Sequence, residues 1–128
     1  GGYHEMALSV VEAIACDSPA VLIVNTTNRG AVAGLADDDV VEVPAVVRGA
    51  GVFPLATRLD EPDRRLVEQV KAYERATLAA IEHRSVADAR AALAAHPLVA
   101  DRAVADAIVD GYLARIPGLA DWFEEGPR

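Results

Sequence analysis

Cysteine is almost missing from this chain. Cys16 is the single one, which excludes an internal disulfide and a multi-cysteine metal site. Its place at the end of the run VVEAIAC predicts a small buried hydrophobe rather than a nucleophile. A reduced, cytoplasmic setting agrees with that usage. Aromatics are few, at 5%. Basic residues are scarce as well: 12 Lys and Arg face 20 Asp and Glu, for a formal net charge of −8. Phosphate-backbone binding needs clustered cations, so a nucleic-acid partner is not expected. The acidic surface serves solubility instead. No apolar run approaches the roughly 20 residues of a membrane helix, so no membrane partner is expected, and no opening stretch reads as a secretory signal. A Gly-rich nucleotide loop is missing, as are repeats and low-complexity segments. Any cofactor site must therefore be supplied from outside this chain.

What is present is apolar and mostly aliphatic: 52% of 128 residues, dominated by Ala, Val and Leu, enough for the core of one helix-rich domain. The first residue is Gly, not Met, and a longer polypeptide upstream is expected. Met6, Val10, Ala13 and Ile14 recur at helical spacing, which predicts a helix over 4–16, with Glu5 suited to its positive end. Asp17-Ser18-Pro19 stops it. AVLIV, 20–24, reads as a strand buried on both faces in the middle of a sheet. The chain then turns polar: Asn25, Thr26, Thr27, Asn28, Arg29 and Gly30 are turn formers or hydrogen-bonding side chains. A polar loop leaving a strand suits ligand contact, but by pattern alone a plain turn in which the Asn side chains bond local backbone is the preferred reading.

Asp37, Asp38 and Asp39 read as a solvated acidic turn, since no calcium-loop spacing follows. A second strand is expected over 40–47, with Pro44 at an edge or bulge, then a hairpin turn and a short return strand over 52–55. From Glu61 onward the pattern is helical. Leu66, Val70, Tyr73, Thr77 and Ile81 trace one face of a long helix. Ser85 with Asp88 forms a capping pair for the next, which His96-Pro97 closes. A third covers 101–115, with Val104, Ile108 and Leu113 near one face. Trp122 and Phe123 pack a short terminal helix. His83 and His96 sit at helix ends as caps rather than metal ligands.

Taken together, GGYHEMA, DSPAVLIVNTTNRGAVAGL, DDDVVEVPAVV and AALAAHPLV resemble, in order and spacing, the C-terminal portion of family 4 glycoside hydrolases, nearest to the 6-phospho-β-glucosidase branch. The resemblance covers nearly all of residues 1–119. It implies an α+β fold like the C-terminal domains of that family and of lactate dehydrogenase: a small mixed or antiparallel sheet packed with several helices. It also implies one C-terminal substrate domain over 1–128, partnered by an N-terminal nucleotide-binding domain outside this chain. The family's chemistry would use NAD and Mn²⁺, both held in the parent protein and neither by this chain. The sugar is oxidised at C3, a tyrosine removes the C2 proton, and the aglycone is eliminated from C1. Water then adds back and the ketone is reduced, a departure from the two-carboxylate scheme of most glycosidases. The family tyrosine falls on Tyr3. A phenol, ordinarily near a pKa of about 10, serves as a base only when a neighbouring cation lowers it.

Asn25, Asn28 and Arg29 fall on the family's substrate turn, with Arg29 suited to the sugar 6-phosphate. Thr27 stands where many members carry Arg, and His4 follows the tyrosine where many β-type members carry Ser. The implied substrate is a phosphorylated disaccharide or glucoside, the implied assembly a homo-oligomer, and the chain alone is expected to be inactive. Two other readings are a C-terminal domain of a lactate- or malate-type dehydrogenase and a non-catalytic interaction domain of the same fold.

Overall fold

The structure, a computed structural model, describes residues 2–125. They gather into two compact units that divide between Asp60 and Glu61. In the first, α1 (Gly2–Ala15) precedes three strands, β1 (Ala20–Thr27), β2 (Val40–Arg48) and β3 (Gly51–Pro54). The strands form an antiparallel sheet in the order β1-β2-β3. Alternation along β2 sets its two faces: Val41, Val43, Ala45 and Val47 are buried, while Val40, Glu42, Pro44 and Arg48 are exposed. The β1 residues opposite the buried set, Thr26, Val24, Leu22 and Ala20, are half-buried. Helix α1 packs on β1 and β2. Its only buried residue is Ala13, whose small side chain permits close approach. Ala31 and Val32, from the loop after β1, cluster with Val41 and Val43 beneath Leu35 and Leu59.

Three expectations are corrected here. The apolar run of β1 is not the middle of the sheet. It is an edge strand with one face open, and Val21 and Ile23 are 64% and 54% exposed. The hairpin partner β3 occupies the far side of β2 and makes β2 central, a choice that the composition of β1 cannot encode. Pro44, expected at an edge or bulge, lies within that central strand. Leu55 N donates to Pro44 O at 2.8 Å, so the ring nitrogen of Pro44 also faces the β3 side, one residue past the end of β3, where no ladder bond is broken. Cys16 is exposed rather than buried. It lies one residue beyond α1, held by its N–H on Glu12 O at 2.9 Å, past the stripe that faces the sheet.

The second unit is helical: α2 (Glu61–His83), α3 (Val86–Ala94), α4 (Arg102–Arg115) and α5 (Leu119–Glu124), each packed on the next. The cap at Ser85 forms as expected, its Oγ accepting from Asp88 N at 3.1 Å. Asp101 Oδ1 accepts from Val104 N at 2.9 Å in the same way. The helix-facing stripes differ. Leu66 and Ile81 on α2 and Val104 on α4 stay largely exposed, whereas Ala80, Ala92, Ala105 and Val109 are the buried residues. Alanine buries because it lets helix axes approach, a property that hydropathy periodicity underweights. Arg84 fastens α5: its guanidinium lies 4.8 Å from the Trp122 ring and bonds Glu125 at 2.9 Å. His83 meets Asp88 at 3.1 Å. His96 accepts from Leu98 N and packs edge-on against Tyr73.

Candidate functional site

The polar corner after β1 begins while the strand is still paired. Asn25 sits opposite Glu42 on the exposed face. Thr27 ends the strand, and its Oγ1 is buried with no hydrogen-bond partner. Asn28 then turns inward and is 0% exposed. Its Oδ1 accepts from Val32 N at 2.7 Å. Its Nδ2 faces the carbonyls of Val32, Leu35 and Ala36 at 3.1, 3.2 and 3.2 Å. The amide is thus wholly engaged in shaping residues 28–39, and no surface of it remains for a ligand.

The backbone completes the same device. Asn28 N donates to Asp39 O at 2.7 Å and Arg29 N to Asp37 O at 3.0 Å. Asp39, itself buried, accepts from Ala36 N at 2.9 Å. Sequence reasoning missed Asp39, placing it in a solvated acidic turn with its neighbours. Only its return to the strand register, one step before Val40, distinguishes it.

Arg29 is carried at the exposed tip of this pinned loop with φ +45°, followed by Gly30 at φ +81°. The left-handed region costs a branched or long L-residue about 1–2 kcal/mol. That strain is held by the bonds beneath it and presents the guanidinium to solvent. Tyr3 lies in the first turn of α1, where residues 2–8 are exposed throughout, and Tyr3 itself is 91% exposed. Asn25, Thr27, Asn28 and Arg29 lie together at the end of β1, and Tyr3 is carried on α1.

A model of the family 4 glycosyl hydrolase C-terminal domain matches residues 2–99. The chain belongs to that family. It is 35% identical over 112 residues to a probable 6-phospho-β-glucosidase of Bacillus subtilis (strain 168), covering 87% of this chain and 25% of the relative. Among solved structures, the 6-phospho-β-glucosidase of Thermotoga maritima with manganese, NAD⁺ and glucose-6-phosphate superposes with a TM-score of 0.79 at 34% identity. That match covers 88% of this chain and 28% of the other. A 6-phospho-α-glucosidase from gut microorganisms with NAD and Mn²⁺ gives 0.86 at 27% identity, covering 93% and 27%. The chain thus spans about a quarter of the length of these family 4 relatives, and its sheet-and-helix fold is theirs.

Of the groups named with those structures, neither the metal nor the dinucleotide finds its usual donor set among the described residues. Among the described residues no three His, Cys, Asp or Glu lie close enough to bind a metal ion. The sheet is antiparallel throughout, so it lacks the parallel strand–helix crossover on which a dinucleotide pyrophosphate rests. Among the described residues no helix is long and apolar enough to cross a membrane.

Proposed function

We propose that this chain is the C-terminal, substrate-facing domain of a glycosidase that hydrolyses 6-phospho-β-glucosides by oxidation and elimination. NAD and a divalent metal would be held on an N-terminal nucleotide-binding domain of the same polypeptide, in a cytoplasmic homo-oligomer. The likeness to the Bacillus subtilis 6-phospho-β-glucosidase, across 87% of the chain, carries this reading. The cofactor supplies hydride transfer at the sugar. This chain's own part is proton transfer and recognition. Tyr3 accepts the C2 proton, and its 91% exposure leaves its hydroxyl open to a cleft completed by the N-terminal domain. Arg29 offers its fork to the 6-phosphate, and Asn25 offers its amide to a sugar hydroxyl. Asn28 is a positioning residue: it fixes the backbone that aims Arg29. By itself the chain is inactive.

The test uses a full-length polypeptide containing this sequence, assayed with NAD, Mn²⁺ and paired 6-phospho-α- and 6-phospho-β-glucosides. Turnover of the β-anomer is expected, and Tyr3→Phe is expected to lower kcat at least about 100-fold together with solvent-deuterium exchange at C2. Full rate and full exchange in Tyr3→Phe would remove the base assignment. Arg29→Ala should raise KM for phosphorylated substrate far more than it lowers kcat.

A further inference from the structure

We propose that Asp39 is a positioning residue for Arg29, its carboxylate working with the Asn28 amide as one clamp on the backbone at Ala36. Among the described residues Asn28 and Asp39 are the two buried polar side chains, at 0% and 8% exposure. Asp37 and Asp38, beside Asp39, are exposed. Asp39 Oδ2 accepts from Ala36 N at 2.9 Å, and Asp39 N donates back to Ala36 O at 3.2 Å. Such a reciprocal pair between an acidic side chain and the backbone three residues before it fixes the turn it spans.

The same carbonyl, Ala36 O, also accepts from Asn28 Nδ2 at 3.2 Å. One peptide position is therefore held on its N–H by Asp39 and on its C=O by both residues. The two are joined directly as well, Asn28 N donating to Asp39 O at 2.7 Å. Arg29 comes next, with its N–H on Asp37 O at 3.0 Å, inside the turn that Asp39 closes. A shift of the Asp37 carbonyl is thus a shift of Arg29. All of these bonds lie within residues 28–39.

The backbone of Arg29, at φ +45°, is strained and relaxes once the clamp opens. A guanidinium fork on a phosphate depends on its aim, and a misplacement of about 1 Å can cost on the order of 100-fold. The inference rests on the phosphate role proposed for Arg29 and adds the side chain that aims it.

The test uses a full-length polypeptide containing this sequence and two readouts. The first is KM for phosphorylated substrate. Asp39→Ala is expected to raise it at least about tenfold, with a smaller change in kcat, and to add nothing once Arg29 is replaced by alanine. Asp39→Asn keeps an acceptor oxygen for Ala36 N and should restore most of the KM. Asp38→Ala should leave KM unchanged. The second readout is amide exchange without substrate, followed by peptide mass spectrometry. Asp39→Ala should speed exchange at least about tenfold over residues 28–39 and leave α2 and α4 unchanged. Unaltered exchange over 28–39 overturns the proposal. So does faster exchange spread evenly through the chain, a KM effect of equal size with and without Arg29, or an Asp39→Asn variant as impaired as Asp39→Ala. If Arg29→Ala itself leaves KM unaltered, the phosphate reading fails, while faster exchange confined to 28–39 still supports the clamp. Should Asp39→Ala not fold, Asp39→Glu, which keeps the charge but overreaches by one methylene, carries the same expectations.

Discussion

Asn28→Ala should unpin the loop that carries Arg29. The carboxamide makes one accepted bond, from Val32 N at 2.7 Å, and its two Nδ2 hydrogens are shared among three carbonyls at 3.1–3.2 Å. Losing about three net bonds at roughly 1 kcal/mol each gives about 3 kcal/mol. Val32, only 5% exposed, keeps an N–H with no partner, which adds about 1–2 kcal/mol. The sum, about 4–5 kcal/mol, is a large share of an ordinary domain's roughly 5–15 kcal/mol. Urea titration followed by far-UV circular dichroism measures it, and the amide of Val32 should lose most of its exchange protection. Asn28→Asp keeps the acceptor but turns an oxygen toward three carbonyls. Burial there would raise the carboxyl's folded-state pKa, so this variant should be least stable at neutral pH and recover as the pH falls below about 4, where the carboxyl is protonated folded and unfolded alike. A loss below about 1 kcal/mol for Asn28→Ala would refute the idea that this amide organises the corner.

Other outcomes follow from the same contacts. Arg29→Gly should relieve the left-handed backbone at φ +45° and raise stability by about 0.5–1 kcal/mol. In a full-length polypeptide containing this sequence it should abolish the proposed phosphate recognition, and a stability loss would show that Arg29 packs rather than strains. Arg84→Ala should cost about 2–3 kcal/mol by removing a ring contact and two acceptors' donor from a side chain only 10% exposed, with a shift in Trp122 fluorescence as the readout. The Arg102 hydrogen bond holds Asp106 below its ordinary value of 3.8, partly opposed by burial and aided by Arg90. Because the folded-state value is the lower one, the stability it contributes is present above pH 3.8 and lost as acid protonates the folded carboxylate. Asp106→Asn should therefore flatten the acid limb of the melting curve, and an unchanged limb would assign that loss elsewhere.

The sequence by itself determined the order of helix, strands and helices, the cap at Ser85, the polar corner after β1 and the family. Each of these rests on local spacing or on residue types whose backbone preferences act within a few positions. Tertiary structure alone decided what depends on neighbours distant along the chain. An uncharged AVLIV run carries no record of whether one strand or two will flank it, so the edge position of β1 was hidden. The tolerance of Pro44 depended on where β3 happens to end. The amide of Asn28 reads as a local turn former by pattern and as a substrate contact by resemblance until the carbonyls of Val32, Leu35 and Ala36 converge on it. Tyr3 is legible as a family residue, whereas its 91% exposure depends on which elements pack against α1, and local sequence does not record that.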